Sequence, residues 1–289
     1  MSVEQLQQIS EAIDVFFIKA RRGERSLANF RRLLSTSERK LSPAVNEWMK
    51  LMIGELQKGL AQVKGRKARL TAEHLADWKY VREQGEVILK PALLRVLAAG
   101  GDAIVGRKIV KQERFDPIGV EAVEWATEHS AELVTEVAAE TRKAIKTFIA
   151  DGVNAGKSIQ NIARELRPVV GLTDRYGGAV GKFATELYTK PKYSALSNAQ
   201  RGSKIERYAN KLHRVRTKMI ARTETRNALW EGTFQGYGQM GIKRVEGVSG
   251  PGACDWCIDN IDGKIYTIKE ARGVAEASHP SCACAWVAV

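Results

Sequence analysis

Several things are scarce in this 289-residue sequence, and each absence excludes something. No stretch approaches the roughly 18 uncharged apolar residues that a membrane-spanning helix needs. The N-terminus, Met1-Ser2-Val3-Glu4-Gln5-Leu6, lacks the basic-then-apolar pattern of an export signal, which argues against a secreted, disulfide-framed protein. There is no internal repeat and no low-complexity tract. Aromatic residues make up 7% and are not interleaved with the basic runs, as base-stacking platforms would be. The four histidines and the helical carboxylates form no acid–base constellation: neither Glu224 with Glu231 nor His74 and His129 assemble one. No active site is expected.

Charge, by contrast, is abundant and one-sided. The formal net charge is +13 and the pI near 9.6. Such an excess favours a polyanionic partner, nucleic acid first and an anionic membrane second. A basic surface facing an acidic protein is the alternative. The cations concentrate in two runs. From Lys19 to Arg69 lie Arg21, Arg22, Arg25, Arg31, Arg32, Arg39, Lys40, Lys64, Arg66, Lys67 and Arg69, and the second run spans Arg201 to Arg226. Without aromatic partners, nucleic-acid contact is expected at phosphates rather than bases.

Apolar periodicity predicts a mostly helical chain. Leu6, Ile9, Ile13, Phe16 and Phe17 form one amphipathic stripe over residues 3–20. Ser42-Pro43 reads as a cap and first helical residue for a helix over 43–63, burying Trp48, Leu51, Met52, Leu56 and Leu60. Thr71 reads as the cap of the next helix, Pro91 as an interruption and Gly100-Gly101 as a stop. Residues 106–117 read as a short charged segment, extended or looped. A long helix is expected over 118–151, closed by Gly152. Ser158 and Thr173 should cap two further helices, and 188–202 reads as a loop. A final long helix over 204–236 carries the small residues Ala221, Thr225, Ala228 and Gly232 on one side. The P-loop-like run Gly152-Val153-Asn154-Ala155-Gly156-Lys157-Ser158 has three residues between its glycines where that motif has four, and a helix precedes it where a strand is needed. It reads as a helix–helix turn with a serine cap.

All four cysteines sit near the C-terminus, in Cys254-Asp255-Trp256-Cys257 and His279-Pro280-Ser281-Cys282-Ala283-Cys284. Two short donor knots separated by about twenty residues suit a tetrahedral Zn2+ site. Asp262-Gly263 between them, with Ile258 and Ile261 before and Ile265, Tyr266 and Ile268 after, reads as a hairpin turn. A unit this small buries only a thin core, and a structural metal can contribute on the order of 10 kcal/mol to its folding. Disulfides, a metal-free thiol cluster and a catalytic Cys-His pair are the alternatives. Five donors compete for four places. The expected set is Cys254, Cys257 and Cys282 with either His279 or Cys284. The fold class is therefore mainly α, with an N-terminal helical bundle, long central helices and a small C-terminal α+β zinc-ribbon-like module. In chain order this gives a basic helical domain over 1–110, a central helical region over 111–203, and a helix plus Cys/His module over 204–289.

The run Met219-Ile220-Ala221-Arg222-Thr223-Glu224-Thr225-Arg226-Asn227-Ala228, followed by Gly232 and Gly241-Ile242, resembles the signature helix of the phage head morphogenesis family, the Mu-F-like minor head proteins of tailed bacteriophages. In that family the helix leads into C-x-x-C, an L-D-G-like turn and a terminal H-P-x-C-R-C. Here the corresponding steps are Cys254 to Cys257, Ile261-Asp262-Gly263 and His279 to Cys284. The likeness covers about residues 205–289. A weaker one, through Phe115-Asp116, Trp125, Thr141-Arg142, Gly156-Lys157-Ser158 and Gly171-Leu172-Thr173, extends back to about 115. Two departures stand out. Ala283 replaces the usual arginine, and Val245-Glu246 stand where a tryptophan is common.

The resemblance implies a non-enzymatic, low-copy virion protein inside the head. It would act in head assembly and in packaging or delivery of the genome, after residence in the host cytoplasm during assembly. Its implied partners are the portal protein, the major capsid or scaffolding protein and double-stranded DNA, with no membrane. No appended nuclease or toxin segment is expected past the cysteine module. Arg21, Arg22, Arg66, Lys67 and Arg69 are the expected phosphate contacts, Arg222, Thr223 and Glu224 the signature-helix residues, and Zn2+ the expected cofactor. A cytoplasmic zinc-ribbon nucleic-acid-binding protein or a nuclease is the competing class.

Overall fold

A computed structural model describes the backbone of residues 3–64, 70–105, 115–116 and 119–289, and the side chains of these from residue 23 on, except 105. Among the described residues there are eight α-helices: α1 (Val3–Gln62), α2 (Trp78–Val105), α3 (Val120–Asn154), α4 (Ile159–Leu166), α5 (Asp174–Thr189), α6 (Asn198–Gln239), α7 (Asp255–Asn260) and α8 (Ile268–Glu276). Three short strands, β1 (Arg244–Val248), β2 (Ile265–Thr267) and β3 (Ala285–Ala288), form one antiparallel sheet in the order β2-β1-β3. The chain is thus mainly helical with a small sheet near its C-terminus. No described helix is long and apolar enough to cross a membrane.

The chain folds into two compact units, each discontinuous in sequence. The first comprises residues 1–41, 93–124 and 222–289; the second comprises 42–92 and 125–221. The division read in chain order, at 110/111 and 203/204, separates consecutive segments; the compact units interleave them.

The second unit is an all-helical body with a continuous apolar core. Val45, Trp48, Met52 and Leu56 from α1 are fully buried, as are Val81 and Leu89 from α2 and Val134 from α3. Trp48 satisfies its indole N–H on the Val81 carbonyl at 3.0 Å. The caps expected at Ser158 and Thr173 are present: their hydroxyls accept from Asn161 N and Tyr176 N, each at 3.3 Å. The Gly152–Ser158 run is a helix end followed by a capped turn, with Lys157 paired to Glu165 at 2.7 Å. Gly152 does not close α3, which continues to Asn154.

Both expected proline breaks are absent. Pro43 lies inside α1 and Pro91 inside α2. Each proline is exposed, and so are Arg39 and Val87, whose carbonyls each ring deprives of a donor. Water can satisfy these carbonyls, while the buried stripe on the opposite side runs on without interruption. Thr71 does not cap a helix: it precedes a 3-10 turn over Ala72–His74 with no side-chain cap bond, and Asp77 Oδ1 accepts from Lys79 N and Tyr80 N at the start of α2. Gly100-Gly101 is likewise no stop. In the first unit these glycines and Gly232 allow α2 and α6 to interlock. A Cβ at Gly100 would strike the Leu229 carbonyl, and one at Gly232 would strike the Leu97 carbonyl. Ala228 on the same side of α6 is fully buried.

The charged segment expected at 106–117 lies outside the described residues apart from Phe115 and Asp116. The side chains of Arg21 and Arg22, and all of Arg66, Lys67 and Arg69, also lie outside them.

Candidate metal centre

After α6 the pattern shifts to short elements, and their assembly brings the two donor knots together. The Asp262-Gly263 turn forms, with Gly263 at φ 66°, but it does not join two hairpin strands. The residues before it form α7, closed by Ile261 N and Asp262 N donating to the Cys257 carbonyl at 2.9 and 3.0 Å. Ile258 is consequently exposed while Ile261 is buried. The strand after the turn, β2, pairs instead with β1. A short helix at C-x-x-C turns Cys257 into the core and leaves Cys254 exposed at the N-cap.

The second knot follows α8. Cys282 N donates to His279 O, closing a turn whose third residue, Ser281, has φ 61°, the one non-glycine in the left-handed region among the described residues. That conformation is disfavoured for a residue with a Cβ, so something must hold it. Thr223 on α6 does so by accepting from Ser281 N at 3.1 Å.

The donor atoms form two overlapping groups, Cys254–Cys257–His279 and Cys257–Cys282–Cys284, each with all its atoms within 4.8 Å of one another. Cys257 belongs to both. Its Sγ lies 3.2 Å from His279 Nε2 and 3.6 Å from Cys282 Sγ. In a tetrahedral zinc site, bond lengths of about 2.3 Å to sulfur and about 2.05 Å to nitrogen give a sulfur–nitrogen edge of roughly 3.6 Å and a sulfur–sulfur edge of roughly 3.8 Å. A disulfide needs about 2.05 Å between sulfurs, and all four cysteines are free. His279 Nδ1 lies 2.9 Å from the Pro280 carbonyl, which only accepts, so Nδ1 carries the proton and Nε2 turns its lone pair towards Cys257. A ligating histidine needs that tautomer. The cluster can therefore hold a metal ion. Cys254, Cys257, His279, Cys282 and Cys284 all take part in it, and Cys257 is its centre.

The thiols' acidities follow from their crowding. Burial, reinforced by Cys282, pushes the Cys257 thiol up to about 12. Cys282 is drawn down to about 5, chiefly by the hydrogen bond from the Cys284 thiol and further by the Arg226 guanidinium. Cys284 is raised in turn by donating that bond. One thiolate is thus favoured and its neighbours stay protonated, because several buried negative charges would repel. A cation at the centre removes that penalty.

The rest of the module is fixed along one face of α6. Thr223, Arg226, Trp230, Phe234 and Tyr237 recur at spacings of three and four. Arg226, 2% exposed, donates to Ser278 Oγ at 2.7 Å and His279 O at 2.8 Å, and lies over the Trp230 ring at 4.6 Å. Trp230 Nε1 donates to Cys284 O at 3.1 Å, and the Tyr237 hydroxyl to Trp286 O at 3.2 Å. The outer edge of β3 is thereby covered by side chains of α6 rather than left open for another strand. Glu231 takes a bidentate pair from Arg272 of α8, at 2.7 and 2.9 Å.

Of the three signature residues, Thr223 touches the second knot directly. Arg222 pairs with Glu38 of α1 at 3.3 Å, and the buried Glu224 accepts from Asn227 at 3.2 Å. Sequence reasoning misses Arg226 and Trp230 as supports of the cluster. The signal for them is the three-and-four spacing itself, which an arginine in an apolar stripe disguises.

Helical body and Cys/His module together define a class: a mainly α protein carrying a compact C-terminal module with a metal-competent thiol–imidazole cluster. No family model, no curated protein and no solved structure matches the chain.

Proposed function

We propose that the protein is a non-enzymatic minor head protein of a tailed bacteriophage. It sits inside the head near the portal, acts in head assembly and in packaging or delivery of the genome, and has a C-terminal module stapled by Zn2+. The observation that carries this reading is a coincidence of two kinds of information. The residues on which the family resemblance rests are far apart in sequence, yet they bond to one another. Thr223 holds Ser281 of H-P-x-C-x-C, and Arg226 holds Ser278 and His279. The turn at Asp262 is tied to β1 by Gly263 N to Gly247 O and to the residue after β1 by Ser249 N to Asp262 Oδ1, both at 2.9 Å. A motif whose parts interlock is a folding unit, and resemblance across all its parts is informative in a way that a lone C-x-x-C is not.

Zinc suits this cluster because soft thiolates with one imidazole favour a closed tetrahedral ion with no redox demand. The ion would clamp the two knots. Thr223, Arg226 and Trp230 would then fix the clamped module to α6. Portal protein and duplex DNA are the partners this role requires.

The test follows the polypeptide and its metal together. The chain should co-purify with particles, resist added protease until the head is opened, and carry one equivalent of zinc by elemental analysis. A chain found only as free soluble protein in infected cells would sink the head assignment. Purified folded protein without metal would sink the staple.

A further inference from the structure

We propose that one exposed face of α6 in the second unit, formed by Lys204, Arg207, Lys211, Arg214 and Lys218, binds the phosphate backbone of duplex DNA. These five cations follow one another at spacings of three, four, three and four residues. At 100° per residue they fall within a wedge of roughly 80°, and at 1.5 Å per residue they extend over about 21 Å. The same wedge takes in Gln200, with Ser203 and Val215 just outside its two edges, and it holds no carboxylate. Glu206 projects well to one side of it.

Lysines and arginines on a helix commonly face acids three or four residues away, but these do not. Among the described residues none of the five is in an ion pair, and the one side-chain hydrogen bond that any of them makes is Arg207 Nε to the Ser203 carbonyl. Arg207, Lys211, Arg214 and Lys218 are exposed and Lys204 is half-buried. Like charges at these spacings repel one another and destabilise a helix. The repulsion runs along the whole stripe and is relieved by a polyanion laid along it.

The stripe's chemistry favours a phosphate backbone. Its length matches about six base-pair steps of duplex, where phosphates lie about 3.4 Å apart along each strand's axis. No aromatic side chain occupies the wedge, so nothing there offers a base a surface to stack on. The choice of duplex DNA among polyanions rests on the proposed head role. The stripe itself does not depend on the metal cluster.

The test measures binding of full-length protein to a labelled mixed-sequence duplex across a salt series. The wild type is compared with K204Q/R207Q/K211Q/R214Q/K218Q, glutamine being nearly as good a helix former as lysine and arginine. The plot of log affinity against log salt should become shallower by about 4 to 5, close to one for each phosphate no longer neutralised. If the five-fold variant does not fold, the pair K211Q/R214Q should lower the slope by about 2. An unchanged slope in a folded variant overturns the proposal. So does a loss that appears only in R21Q/R22Q/R66Q/K67Q/R69Q. Wild-type protein that binds polyglutamate but not duplex also overturns it, and makes the stripe a docking face for an acidic protein. Particle fractionation separates this outcome from the larger reading. A chain absent from particles whose DNA binding still fails through these five residues loses the head role and keeps the stripe.

Discussion

Arg216 and Arg226 lie on the same helix, are both almost wholly buried, and are neutralised in different ways. In the second unit, Arg216 has a carboxylate of its own, Glu140 at 2.7 Å, with the Thr141 hydroxyl and the Gly171 carbonyl as further acceptors. In the first unit, the acceptors around Arg226 are neutral: Ser278 Oγ, His279 O and Asn227 Oδ1. Burial pulls both guanidiniums below their usual value. At Arg216 it is opposed chiefly by Glu140; at Arg226 it is opposed first by Cys282 and then by Glu224. The helical body thus completes its electrostatics within the polypeptide. The C-terminal module places a buried cation beside Cys282, the one thiolate its own surroundings favour, while Cys257 and Cys284 stay protonated until something deprotonates them. A metal ion does that, and a thiolate-rich site bearing excess negative charge complements Arg226.

If that contrast is right, metal removal is the largest single perturbation and acts on one unit. Chelation, or Cys257→Ser at the donor shared by both groups, should cost the module on the order of 10 kcal/mol, as for small metal-dependent domains. Limited proteolysis should then cut within residues 244–289 while the segments of the second unit persist. Persistence of the whole chain under chelation would remove the distinction between the units.

Two arginine-directed variants sharpen the comparison by pulling in opposite directions. Glu140→Gln leaves Arg216 buried without its counter-charge and should cost about 2 kcal/mol, below the range for a fully buried pair because Glu140 is half exposed. Metal affinity should be unchanged. Arg226→Met keeps the bulk over Trp230 but removes the charge and the bonds to Ser278 and His279. Supporting residues of this kind are worth about 10- to 100-fold in metal affinity. Competition titration with a chromophoric chelator measures it, and Co2+ spectra report whether the remaining ligand set has changed. Equal effects of both variants on metal affinity would show that the two arginines are not doing different jobs.

The same contrast explains what was legible in the sequence. The Cys/His knots could be read because metal coordination confines donors to a few residue types at short spacings. The caps at Ser158 and Thr173 could be read because they are local. The continuity of α1 past Pro43 could not, since it depends on which side of the helix faces water. Nor could the role of Gly100, which depends on Leu229 approaching from a helix more than a hundred residues later. Arg226 was hidden for the opposite reason: an arginine normally signals surface, and only the packed module shows it buried. The interleaving of the two units had no local signal at all.

The smallest effect probes a part of the module set by local bonds that involve none of the cluster's donors. α8 begins with a complete capping box. Thr267 Oγ1 accepts from Glu270 N at 3.3 Å, while Glu270 Oε2 accepts from Thr267 N at 2.8 Å and from the Thr267 hydroxyl at 2.9 Å. These bonds to the backbone N–H and the hydroxyl hold the Glu270 carboxyl below its usual value. A carboxylate with a depressed pKa contributes stability that is present above its unfolded-state pKa and is lost as pH falls through the folded-state one. Thr267→Ala removes the side-chain half of the box and should cost about 1 kcal/mol. It should also flatten the acid limb of the module's stability, because Glu270 loses its hydroxyl donor. Thermal unfolding of metal-loaded protein across the carboxylate range measures both effects, and metal stoichiometry should stay the same. If Thr267→Ala instead released the metal, the capping box and the cluster would be one cooperative element, and the division between locally held and metal-held parts of the module would fail.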